Sequence, residues 1–170
     1  MSMQYDVKQA HLNSNGYFVN YGTRVKGMSF TGSATAGYIS LFDTASTPVT
    51  SGVTYAQSGN TVTVTKVAHG LTTGTVIGIH FLSNSGVSAT DGTYSITKTG
   101  ADTFTLTDVN SRTITSTTAV YAVGKWILTY ECSAGDYFSN TPFIPGEGVR
   151  AVNGVYAVMS NIASAQIYYG

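Results

Sequence analysis

Charge is scarce in this chain. Eight Lys and Arg balance eight Asp and Glu over 170 residues, so charged side chains make up 9 % of the sequence against about 25 % in a typical soluble domain. No net field is available to gather nucleic acid or an anionic membrane surface, and neither is expected as a partner. Cys132 is the single cysteine, which excludes an intrachain disulfide framework and any thiolate zinc site; it reads as a small buried hydrophobe. Long apolar runs are missing too, and none approaches the roughly 20 residues of a membrane-spanning helix. The start, Met1-Ser-Met-Gln-Tyr-Asp-Val-Lys8, has no basic region followed by an apolar stretch, so folding in a cytoplasm is expected.

Helical periodicity is the other absence. Apolar residues recur with period two, amid Thr, Val, Gly and Tyr, and these types favour a pleated surface. The chain therefore reads as all-β. With 42 % apolar and 12 % aromatic residues, a core is affordable and disorder is not expected. The solvent face must be made largely of Ser and Thr, about a quarter of the chain, with Asn and Gly. A neutral, edge-rich β surface of this kind associates readily, which points to cover by further copies or by a larger assembly.

Early strands are expected at Val7–His11, Gly16–Tyr21, Arg24–Thr31 and Gly37–Asp43, punctuated by Asn13-Ser-Asn-Gly16 and Gly32-Ser-Ala-Thr35. Between Thr44 and Gly52 the composition turns to Thr, Ala, Ser and Pro, the signature of a linker. A middle module follows, with strands near Val53–Gln57, Thr61–Val67, Val76–Leu82, Thr93–Lys98, Thr103–Thr107 and Arg112–Thr115. Val120–Val123 leads out to a strong strand at Lys125–Cys132, and a loop is expected over Ser133–Phe143. Asn153-Gly154 then joins two strands as a tight hairpin, and Ala163–Tyr169 forms the last. Neither flank has enough strands to bury two faces alone. The expected architecture is a jelly-roll-like β-sandwich formed by both flanks, residues 1–50 and 123–170, with a small β-barrel-like domain inserted at 51–122.

Chemistry is hard to find along this chain. His11, His69 and His80 stand among no clustered Asp, Glu or Cys, so no metal or cofactor is expected. His69, at a strand end before a glycine turn, suits a local backbone hydrogen bond. His80 alternates with Ile79 and Phe81 and is expected at a solvent or module-interface position. The carboxylates Asp6, Asp43, Asp91, Asp102, Asp108, Glu131, Asp136 and Glu147 are scattered into turns, and no nucleophile elbow is present. No catalytic residue is assigned. Thr61-Val-Thr-Val-Thr65 and Thr103-Phe-Thr-Leu-Thr107 read as half-wet strands with Val62, Val64, Phe104 and Leu106 inward, too short for a repetitive binding array. Tyrosine is the residue best suited to an interface, and Tyr17, Tyr21, Tyr168 and Tyr169 in the flanks are the candidate contact residues.

The middle phrase, His69-Gly-Leu-Thr-Thr-Gly74 followed by Asp91-Gly-Thr-Tyr94 and Asp102-Thr-Phe-Thr-Leu106, resembles a small β module that recurs in structural proteins of tailed bacteriophages. The flanks resemble a group of small virion proteins of marine phages, in Ala10-His-Leu-Asn-Ser14, Arg24-Val-Lys-Gly27, Pro145-Gly-Glu-Gly148, Asn153-Gly-Val-Tyr156 and Ile167-Tyr-Tyr-Gly170. In that group a short loop joins the flanks, whereas here an extra module stands between Pro48 and Lys125. The resemblance implies a non-enzymatic virion component, a capsid decoration or cement protein made in the host cytoplasm and carried on the capsid surface. Its implied partners are further copies of itself, as a trimer, and the major capsid protein or another virion protein. A tail or fibre module contacting host surface glycans is the alternative. The matching motifs mark turns and strand ends and carry no functional residue across.

Overall fold

A computed structural model describes residues 7–83, 86–137, 139–142 and 144–170. The amino-terminal stretch 1–6 lies outside the described residues, as do Phe138 and Phe143 of the expected loop. The strands, in chain order, are β1 (Lys8–Leu12), β2 (Gly16–Val19), β3 (Thr23–Gly32), β4 (Gly37–Asp43), β5 (Thr54–Thr65), β6 (Val76–Phe81) and β7 (Gly92–Ser95). They continue as β8 (Thr97–Lys98), β9 (Thr103–Val123), β10 (Lys125–Cys132), β11 (Ser139–Asn140), β12 (Val149–Ala151), β13 (Val155–Ser160) and β14 (Ile162–Tyr169). No helix occurs among the described residues, and the protein is all-β.

The chain divides into two compact units, one made of Met1–Ala45 with Ile127–Gly170 and the other of Ser46–Trp126. The second unit is wider than the 51–122 expected from composition, for identifiable reasons. Val49 exchanges two backbone hydrogen bonds with Tyr121, 2.7 and 3.1 Å long, which draws the linker into the unit's sheet. At the other boundary the Gly124 N–H donates to Val76 O (3.1 Å) and the Trp126 N–H to Thr93 Oγ1 (3.0 Å).

In the flanking unit, one antiparallel sheet runs β1-β14-β3, with β11 and β12 both paired to the far edge of β3, and the other runs β10-β4-β13-β2. Val25, Met28, Phe30, Ala165 and Ile167 from the first sheet share a buried cluster with Ile39, Leu41, Val155 and Ala157 from the second. Two sheets over one apolar layer make the sandwich, and the alternation along each strand selects the inward set. β11 falls inside the expected loop; it is only two residues long, too short for any periodic signal. The hairpin expected at Asn153-Gly154 does not form: β12 pairs with β3 in one sheet and β13 with β2 and β4 in the other, so these residues carry the chain between sheets, and Asp43 at the end of β4 holds that connection. Its Oδ2 accepts from the Val152 N–H (2.9 Å), and its Oδ1 from those of Asn153 (2.7 Å) and Gly154 (3.4 Å).

In the second unit the order is β5-β9-β6-β7, with β8 also on β9. The edge strands β5 and β7 do not pair among the described residues, so the sheet is open and not closed into a barrel. β9 is its spine and is 21 residues long. Its first part pairs with β5 and β8, and its last part, Ala119–Val123, pairs with Ile77–Phe81 of β6. Val62, Val64, Phe104 and Leu106 are buried as their alternation requires, around Tyr55, Ile77, Ile79, Phe81 and Tyr121.

The turn-forming residues inside β5 and β9 do not reverse the chain. Gly59, at φ +62°, and the segment Asp108–Ser111 lie where the register jumps from Gly59↔Arg112 to Thr61↔Thr107. Together they form a bulge. Gln57 Nε2 closes it by donating to Gly59 O (2.9 Å) and Asn110 O (2.7 Å), and Asn60 Nδ2 donates to Asp108 O (2.9 Å). Two expected breaks are thus one irregularity between two long strands.

Candidate functional site

Three constellations concentrate polar or aromatic side chains. The first lies inside the second unit, where β6, β9 and the segment before β7 meet. His80 corrects the expectation of a solvent position: it is 2 % exposed. β6 pairs with β9 on one side and β7 on the other, and the backbone of Lys125–Trp126 lies over Gly78, two residues before His80 on the same face. Both faces of β6 are therefore covered. The His80 Nδ1–H donates to Asp91 Oδ2 (2.6 Å), while Asp91 Oδ1 accepts from the Phe81 N–H (2.8 Å).

Asp108, whose side chain is fully buried, is the second carboxylate of this cluster. It accepts from the N–H groups of Asn110 (3.0 Å) and Thr90 (2.9 Å) and from the Arg112 guanidinium (3.2 Å). Burial opposes its ionisation, but these donors outweigh burial and hold its pKa below the ordinary 3.8. Arg112 and the Asn110 amide both donate to Thr90 Oγ1, 3.1 and 3.0 Å away. Tyr94 donates to Thr90 O (2.6 Å), and burial, followed by the charges of Asp108 and Asp91, pushes its pKa up to about 12. Several of these bonds join neighbouring elements: Asp91 ties the 89–91 segment to β6, and Thr90 ties it to Asp108, Asn110 and Arg112 of β9 and to Tyr94 of β7. With its histidine shut off from solvent, the cluster fastens strands.

His69 takes the backbone role expected of it. Its Nδ1 accepts from the Leu71 N–H (3.0 Å), which leaves the proton on Nε2, 3.3 Å from Gly100 O. Asp102 Oδ1 caps the same turn through the Ala68 N–H (2.7 Å). Among the described residues no group of three or more His, Cys, Asp or Glu is placed to hold a metal ion. Cys132 is buried and directs its thiol to Gly37 O (3.6 Å).

The other two constellations are shallow pockets in the flanking unit. Arg24 of β3 and Arg150 of β12 are register partners, with Thr23 facing Ala151 beside them. These residues, with Gly22, Val152 and Gly170, line a pocket of about 300 Å³. Arg24 contacts Glu147 at 3.3 Å. At the opposite end of β3, a second pocket of about 300 Å³ is lined by Phe30, Tyr130, Glu131, Asp136, Thr141 and Pro142. The rings of Phe30 and Tyr130 lie tilted against each other, 5.9 Å between centroids.

The four candidate tyrosines divide between two places. Tyr21 is half exposed, and its hydroxyl donates to that of Tyr169 (3.4 Å) with the rings 6.5 Å apart, beside the arginine pocket. Tyr169 itself is buried against the core, while its neighbour Tyr168 is half-buried and, being adjacent on β14, points to the other face. Tyr17 packs edge-on against Tyr156, 4.8 Å between centroids. Arg24, Arg150, Glu131 and Asp136 were not singled out from the sequence. The facing of Arg24 and Arg150 arises from a strand register between distant segments, which no local pattern announces. Compared with known proteins, the sequence matches no family model and no curated protein.

Proposed function

We propose that this chain is a non-enzymatic structural protein of a tailed-phage virion, a capsid decoration or cement protein that binds the head lattice as a homo-oligomer, with a trimer favoured. The observation that carries the reading is the division of labour in the chain: both flanks build one sandwich, and a self-contained second unit with its own core is inserted between them. Such an organisation suits a base that assembles and a module that projects. The near-absence of charge supports it, because a neutral β surface gains from being covered. So does the resemblance of the turn and strand-end motifs to phage structural proteins. The buried setting of His80, held by a half-buried Asp91, suits a cluster that stabilises and does not turn over substrate.

The test is co-sedimentation of the purified chain with purified heads, expanded and unexpanded, alongside a panel of host surface glycans. Saturable pelleting with heads is expected. Binding to glycans with none to heads would replace this reading with a tail or fibre adhesion module.

A further inference from the structure

The flanking unit carries its charges in a polar arrangement along β3. At one end, Arg24 and Arg150 stand opposite each other across the β3–β12 ladder. Like charges directly opposite in a ladder are unfavourable unless something answers them. Among the described residues Glu147 pairs with Arg24 and not with Arg150, and it is itself 85 % exposed, where an ion pair contributes little and exchanges readily. Six residues further along β3, roughly 20 Å at the rise of a strand, Phe30 begins the pocket that holds Glu131 and Asp136.

Each end also has the apolar and aromatic character of an interface core. Tyr21 and Val152 are 50 % and 54 % exposed at the arginine end, and Tyr137, next to Asp136, is 62 % exposed at the acidic end. In a chain with so few charges, two complementary sets at opposite ends of one strand form a donor face and an acceptor face for a second copy. A twofold contact confined to either end would set that face against itself, arginine against arginine or carboxylate against carboxylate. A head-to-tail contact at single ends matches them, and repeated head-to-tail contacts form a ring where the rotation closes and a filament where it does not.

We infer that copies of this chain associate head to tail through the flanking unit, the Arg24–Arg150 pocket of one copy receiving the Glu131–Asp136 end of the next. This rests on the homo-oligomer proposed above and assigns its contact. The test uses the full chain in sedimentation velocity, with heads absent. Raising the salt concentration is expected to shift the species toward protomer. Arg150→Glu and Glu131→Arg, each alone, are expected to weaken association about tenfold, and the two together to restore it.

Circular dichroism and the thermal midpoint check that each variant is folded. Where Arg150→Glu does not fold, Arg150→Gln and the salt dependence of the unaltered chain carry the test. Single reversals that leave the oligomer intact, or a double reversal that restores nothing, would overturn this contact while the homo-oligomer stands. A chain that is a protomer at every concentration would overturn both.

Discussion

Asp108 shows how one side chain can hold an irregular backbone. A bulge of four residues in β9 exposes N–H groups that no ladder partner can take, and the carboxylate accepts the one on Asn110 while also taking that of Thr90 and the Arg112 guanidinium. Asp108→Asn keeps the size but loses the charge and one acceptor. It is expected to cost about 2–4 kcal/mol of unfolding free energy, read by urea denaturation at neutral pH. The pH dependence has a definite sign. The folded pKa lies below the ordinary 3.8, so the contribution of Asp108 is full above pH 3.8 and is lost as pH falls through the lower folded value. The gap between the unaltered chain and Asp108→Asn therefore narrows as the medium is acidified below that point.

Among the elements, β6 is the one whose surroundings decide its residues. Gly78 has ordinary backbone geometry, yet a Cβ there would run into the backbone nitrogen of Trp126. Gly78→Ala is expected to destabilise the second unit by about 1–3 kcal/mol through forced displacement of that crossing segment, seen as a lowered midpoint in thermal unfolding. The same crossing explains why a solvent position for His80 was wrongly expected from sequence. Alternation correctly put it opposite Ile79 and Phe81, but nothing local revealed that a second layer covers that face. Most strands were legible, because residues such as Val62, Val64, Phe104 and Leu106 keep strict period two, but Asn153-Gly154 read as a hairpin when nothing local showed that β12 and β13 enter different sheets. The merged lengths of β5 and β9 were not legible, since Gly59 and Asn110 fall in gaps that read as breaks between short strands and serve instead in a bulge stapled by the Gln57 amide. The arginine pocket was illegible for a different reason: Arg24 and Arg150 meet only through tertiary register.

For the whole molecule, two separate cores imply two units that fold on their own contacts. Excising Ser46–Trp126 and joining Ala45 to Ile127 by a short Gly/Ser link is expected to leave a cooperatively folding, self-associating sandwich, as judged by calorimetry and light scattering. Loss of folding in that shortened chain would mean that the flanks depend on the insert. The assembly role depends on more than folding, because it requires a lattice that the chain recognises. The most direct test is the mass and stoichiometry of the full chain on purified heads, measured by co-sedimentation and light scattering. The account predicts a homo-oligomer that saturates the heads at a fixed ratio to the capsid protein; a protomer that stays in the supernatant with both expanded and unexpanded heads would contradict it.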